Sequence, residues 1–162
     1  MLDAEPPAFV VISRQEVSEV VAASDQPRRL VKGAQVEQAL IRQAVFVSGS
    51  VSVSRPAADP AAPLAYAWTY QAFVQRQVCF TSITGLFACS GPEVEKLPEA
   101  AKGEAPLGPD DPPTFPLAEA ARIALTAGLK ARAMAVFEAD RRARIEPLLR
   151  AAGVSTPRPA NR

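Results

Sequence analysis

The spacing of apolar and polar residues changes along the chain, and each spacing predicts a different element. Phe9-Val10-Val11-Ile12 is a short apolar run of the kind found in buried strands. A capping box at Ser13 and Glu16 follows, with valines beyond it at helical spacing. The N-terminal region therefore predicts a buried strand and then a helix over about 14–23.

A second change of spacing occurs between about residues 34 and 53. Apolar residues first recur three and four positions apart, which predicts a helix over about 34–45. Alternating valines then predict a strand, in which Gly49 indicates a bulge or a close approach of two backbones. The residues behind these two predictions are Val36, Leu40, Ile41 and Ala44 for the helix, and Val45, Val47, Val51 and Val53 for the strand.

The stretch from Pro60 to Pro92 is rich in aromatic residues, and Arg76 is its only charged residue. If 65–74 is a strand, Tyr66, Trp68 and Tyr70 lie on one face of it. Most such faces are packed against a core. Together with the hairpin that follows, this strand predicts an antiparallel meander joined to the valine strand.

Cys79 and Cys89, the two cysteines of the chain, lie opposite each other in a predicted hairpin. The loop Ile83-Thr84-Gly85 places glycine where a type I turn with a bulge needs a positive φ. This register pairs Ser82 with Leu86, Thr81 with Phe87, Phe80 with Ala88, and Cys79 with Cys89. We therefore expect a disulfide, which would indicate an oxidising compartment, whereas reduced cysteines would indicate the cytoplasm.

The remaining regions complete the predicted organisation. Residues 92–116 hold seven prolines, six acidic residues and two basic ones, which predicts an irregular acidic linker. Residues 117–152 are rich in helix-forming residues and predict a basic helical arm. The predicted class is α+β: a compact domain at 9–91 with two N-terminal helices and a small antiparallel sheet, then this linker and arm, with disordered ends at 1–8 and 153–162.

Several kinds of chemistry are excluded by the residues that the chain lacks. There is no histidine, which excludes histidine-dependent catalytic triads and dyads and the ordinary imidazole zinc sites. No phosphate-binding glycine motif is present, and two cysteines without a CxxC spacing do not build a structural zinc site. The sequence therefore predicts no enzyme, no metal and no cofactor, and it shows neither a signal peptide nor an apolar span for a membrane.

The leading hypothesis for function is a structural or assembly component of a larger protein complex. An aromatic sheet with little charge and a C-terminal helix on a linker are typical of surfaces that other subunits cover. The partners would be other protein subunits or further copies of the chain. The residues predicted to contact them are Tyr66, Trp68, Tyr70, Leu125, Leu129 and Val136.

Two alternative hypotheses remain open from the sequence. A nucleic-acid-associated accessory protein would use the bases of the arm, which do not gather into one stripe on a helical wheel. Those bases are Lys130, Arg132, Arg141, Arg142 and Arg144. A domain that binds a small ligand or a carbohydrate would instead need Tyr66, Trp68 and Tyr70 as an exposed stacking platform.

Overall fold

A computed structural model describes residues 9–29, 36–82, 84–107 and 115–151 of the chain. The predicted disordered ends at 1–8 and 153–162, and Ile83 of the hairpin loop, lie outside these ranges. The described residues form five strands and two α-helices separated by a π-helical turn. Their bounds are β1 Phe9–Arg29, β2 Val36–Pro56, β3 Ala65–Ser82, β4 Phe87–Cys89, β5 Glu93–Pro106, α1 Pro116–Asp140, the π-helical turn Arg141–Ile145, and α2 Glu146–Ala151.

The strands of the described chain belong to one antiparallel sheet in the order β1-β2-β3-β4, and β5 also pairs with β3. The chain divides into two compact units. The first unit contains the described parts of 1–19, 47–72 and 97–129, and the second contains those of 20–46, 73–96 and 130–162. The predicted antiparallel sheet and C-terminal helix are therefore confirmed.

The two predicted N-terminal helices are wrong, because residues 14–23 lie in β1 and residues 36–45 lie in β2. In β2 every second residue is buried, from Ala39 through Ile41, Gln43 and Val45 to Val47. The polar Gln43 interrupts the apolar alternation and so hides the strand in the sequence. In β1, β-branched valines and pairing with β2 outweigh the capping signal, because tertiary context overrides local propensity.

Two other expectations are corrected. Phe9–Ile12 is part of a strand as predicted, but its side chains are exposed instead of buried. The predicted irregular linker contains β5, in which side chains on one face are partly or fully covered from Glu95 to Ala105. An edge strand needs few of its backbone donors, so Pro98 and Pro106 are compatible with it.

The cysteine hairpin forms with the predicted register. Cys79 pairs with Cys89, Phe80 with Ala88, and Thr81 with Phe87, and the two cysteines form a disulfide. Gly85 has a φ of +85°, and the N–H of Ser82 donates to the carbonyl of Leu86 over 2.8 Å. Local turn chemistry and a single cross-link thus specify this part of the fold.

Reduction of the disulfide is expected to lower the free energy of unfolding by about 2–3 kcal/mol, because the bond restricts the unfolded chain. Denaturant unfolding with and without a reductant measures the difference. The double variant Cys79→Ala/Cys89→Ala is the control, since its midpoint should not respond to the reductant. An equal response of both proteins would show that the reductant acts elsewhere.

The first unit is organised around the buried face of β3. Tyr66 and Tyr70 are buried there, and the Tyr66 hydroxyl accepts a 3.3 Å hydrogen bond from the N–H of Leu117 at the start of α1. Trp68 covers Gly103 of β5, where a Cβ atom would lie 2.3 Å from the indole ring. In β2, a Cβ atom on Gly49 would lie 1.9 Å from the carbonyl oxygen of Thr69, so the predicted close approach of backbones is confirmed.

The second unit has its own apolar core beneath the end of the helical region. Ile145 and Leu149 are fully buried against Ala39, Ile41 and Val78. The π-helical turn at 141–145 adds a residue to one turn of the helix. The buried positions therefore pass from Val136, Phe137 and Asp140 to Ile145 and Leu149 instead of following an unbroken α-helical spacing.

Candidate functional site

The free edge of β1 in the first unit is the candidate functional site. Among the described residues, β1 pairs with β2 and with no other strand. Four successive apolar residues at its start expose large fractions of their side chains: Phe9 58%, Val10 40%, Val11 59% and Ile12 48%. Because successive residues of a strand point to opposite faces, both faces of this segment are apolar.

An apolar groove adjoins the start of β1 in the same unit. It has a volume of about 510 Å³, and Phe9 lines it together with Pro63, Leu64 and Ala105. Glu104 is the one charged residue of the described lining. The exposed segment and the groove share Phe9, so they form a continuous apolar surface that ends at the open strand edge.

Charged groups anchor β1 to α1 within the first unit. Arg122 of α1 forms ion pairs with Glu19 of β1 and with Glu119. The hydrogen bond from Arg122 lowers the pKa of Glu119 below its usual range. Glu119 also lines a cavity of about 170 Å³, together with Gln15, Val17 and Tyr70 among others. Burial raises the pKa of Tyr70, and nearby Glu119 adds to the shift, so the phenol stays neutral.

The second unit contains a buried ion network centred on Arg76. Its Nε and Nη2 atoms donate to Asp140 Oδ1 over 2.8 and 2.6 Å. Nη2 also donates to Glu95 over 2.5 Å, and Nη1 donates to Glu93 over 3.2 Å. Gln43 donates to Asp140 Oδ2 over 2.9 Å and to the carbonyl of Phe137 over 3.0 Å. The network therefore ties β2, β3, β5 and α1 together inside this unit.

The hydrogen bonds of this network keep Arg76 and Glu95 in their charged forms. Burial by itself lowers the pKa of Arg76, but hydrogen bonds to Asp140 and Glu95 outweigh it and the pKa is raised. Hydrogen bonds from Arg76 and then Arg144 lower the pKa of Glu95. Neither group exchanges a proton near neutral pH, which general acid–base catalysis requires. We interpret the network as structural.

The residues predicted to bind partners lie mainly inside the chain. Tyr66, Tyr70, Leu129 and Val136 are buried, whereas Trp68 and Leu125 are half-buried. The three aromatic residues share one face, as predicted, but Tyr66 packs against Phe115 with 5.2 Å between ring centroids. The described structure thus brings them together as a packed cluster, and their role in binding stays a prediction.

The basic residues of the nucleic-acid hypothesis lie along the helical region. Lys130, Arg132, Arg142 and Arg144 are exposed, and Arg141 is half-buried. Arg142 forms an ion pair with Glu138, and Arg144 forms one with Glu95 over 3.1 Å. Acidic partners therefore neutralise part of this charge, and nucleic-acid binding also stays a prediction.

Sequence reasoning missed both the open edge of β1 and the ion network. The network had a signal, because Arg76 is a lone charge in an otherwise uncharged stretch, and buried charges need partners. The edge had none, since an apolar run does not show whether its strand lies at the centre or the rim of a sheet.

Three further results bear on function. No protein-family model, curated protein or solved structure matches the chain. Within the described ranges, no group of three or more acidic, cysteine or histidine residues could hold a metal ion. None of the helices in those ranges has the length and apolar character needed to cross a membrane.

Proposed function

We propose that this chain is a non-enzymatic assembly component that joins neighbouring protein chains by adding a strand to β1. The observation that carries the proposal is the exposure of Phe9–Ile12 along an edge with no described pairing partner. Strand addition would satisfy the free backbone donors and acceptors of that edge and cover the apolar side chains beside them.

The contrast between the two edges of the sheet supports this proposal. Edge strands in single chains are commonly protected by prolines and charged residues, which prevent pairing with other chains. Strand β5 carries Pro98, Lys102 and Pro106, whereas Phe9–Ile12 has no charge and no proline. The absence of such protection at Phe9–Ile12 is what a binding edge requires.

The disulfide supports a place for the assembly outside the reducing cytoplasm. Cys79–Cys89 cross-links the hairpin of the second unit, and such bonds persist in oxidising compartments. An extracytoplasmic complex, periplasmic or secreted, is therefore the setting that we propose.

Replacing Ile12 by lysine is expected to weaken association through β1, because it places a charge on the apolar edge. Sedimentation equilibrium measures self-association. Hydrogen exchange of the β1 amides that point away from β2, in buffer and in extract of the native source, measures pairing with another chain. We expect association at least about tenfold weaker and loss of the partner-dependent amide protection.

Met134→Lys is the matched control, since Met134 is 70% exposed and lies on α1 instead of β1. It should associate like the unchanged chain. Equal behaviour of the two variants would contradict the proposal. So would free exchange, under all conditions, of the β1 amides that point away from β2 in the unchanged chain, because the edge would then have no partner.

A further inference from the structure

Two residues of opposite charge flank Gln15 in β1. Arg14 and Glu16 flank it, both are largely exposed, and their side chains meet in an ion pair of 2.8 Å on one face of the strand. Gln15 lies on the other face and is also exposed. A strand with this charge order can pair with an inverted copy of itself.

We propose that the strand added to β1 is β1 of a second copy of this chain, antiparallel and with Gln15 opposite Gln15. This inference rests on the proposed function and names its partner. Two identical antiparallel strands in one sheet are related by a twofold axis perpendicular to the sheet. Residues directly opposite each other in such a pair lie on the same face of the sheet. The axis must therefore pass between one residue and its own copy. Each position before that residue then lies opposite the position equally far after it in the other copy.

The charges of Arg14 and Glu16 favour this register over the two registers with the axis one residue to either side. An axis at Arg14 would place two arginines directly opposite each other, and an axis at Glu16 would place two glutamates there. Like charges directly opposite in a sheet destabilise the pair, whereas opposite charges stabilise it. An axis at Gln15 places Arg14 of each copy opposite Glu16 of the other, so the register gains two complementary pairs.

The same register also keeps charged residues away from two apolar side chains of β1. Ile12 lies opposite Ser18, and Ser13 lies opposite Val17, so no charged residue faces either apolar side chain. Glu19, which lies opposite Val11, is held within its own chain by Arg122. A second copy is therefore a partner whose chemistry fits this edge along the described part of the first unit.

A cysteine placed at Gln15 tests the axis directly. Because Cys79 and Cys89 are bonded to each other, Gln15→Cys supplies a single free thiol. Opposite Cβ atoms in a sheet lie about 4.5–5.5 Å apart, so a short bis-maleimide should convert most of this variant to covalent dimer. Ser13→Cys by itself, or Val17→Cys by itself, should cross-link weakly, because the two cysteines of such a dimer are about 13 Å apart along the strands. A mixture of the two variants should cross-link strongly, because position 13 of one copy then lies opposite position 17 of the other.

A charge exchange tests the register without a cross-linker. Arg14→Glu should weaken the dimer about tenfold, because glutamates then face each other at two positions. The double variant Arg14→Glu/Glu16→Arg should restore wild-type association, since it recreates both opposite-charge pairs. Failure of the double variant to recover would overturn the register.

The outcomes separate this inference from the proposed function. A dimer that cross-links best at a position other than Gln15 overturns the register, while strand addition stands. A chain that stays monomeric in buffer but shows β1 amide protection in native extract overturns the second copy as partner, and again strand addition stands. A monomer whose β1 amides that point away from β2 remain unprotected in both settings overturns both proposals.

Discussion

Replacing Asp140 by alanine is expected to lower the free energy of unfolding by about 3–5 kcal/mol, the largest effect of any single side chain in the ion network. The substitution leaves Arg76, which is 7% exposed, without its closest buried acceptor. It also removes the carboxylate that accepts a hydrogen bond from the side-chain amide of Gln43. Urea unfolding followed by circular dichroism measures the loss.

The matched control for this prediction is Glu138→Ala. Glu138 is an acidic residue of the same helix, but its ion pair with Arg142 is exposed, so its removal should cost less than about 1 kcal/mol. Asp140→Asn keeps an acceptor oxygen for Arg76 and should fall between the two. Equal losses for Asp140→Ala and Glu138→Ala would show that the buried network does not stabilise the fold.

Adding one methyl group at Gly49 is expected to destabilise the protein by about 1–3 kcal/mol or more, because packing at this position is already complete. The new Cβ atom would lie 1.9 Å from the carbonyl oxygen of Thr69, so the two strands would have to separate locally. Thermal and denaturant unfolding of Gly49→Ala measure the cost.

The same substitution at Gly128 should have the opposite sign. Gly128 lies in α1, and a Cβ atom there meets no described atom within 4 Å. Alanine is favoured over glycine inside helices by about 0.5–1 kcal/mol, so Gly128→Ala should stabilise the protein. A neutral Gly49→Ala alongside a stabilising Gly128→Ala would contradict the close approach of the backbones.

The parts of the fold that the sequence predicts correctly are those that depend on nearby residues. The register of the cysteine hairpin depends on one loop glycine and one cross-link within ten positions. The C-terminal helix depends on a long run of residues with high helix propensity. In both cases the local preferences and the final structure agree.

The parts predicted wrongly depend on pairing with distant strands. Gln43 is a polar residue in a buried row of β2, and it is accommodated because Asp140, far along the chain, accepts its hydrogen bond. Pro98 and Pro106 resemble linker residues until the edge position of β5 is known. For the candidate site, the apolar run Phe9–Ile12 identifies a strand, but only the strand order identifies an edge.

The unequal edges of the sheet in the first unit also set a limit on growth. In the proposed pairing residues 9–21 of each copy lie opposite the same residues of the other copy, so no free β1 edge remains in the first unit of either copy. The other rim, β5, lacks backbone donors at Pro98 and Pro106 and carries Lys102, so it is a poor template for another chain. Within the first unit the proposed pairing would therefore end with two chains instead of extending into a fibre, although it uses the kind of edge from which fibres grow.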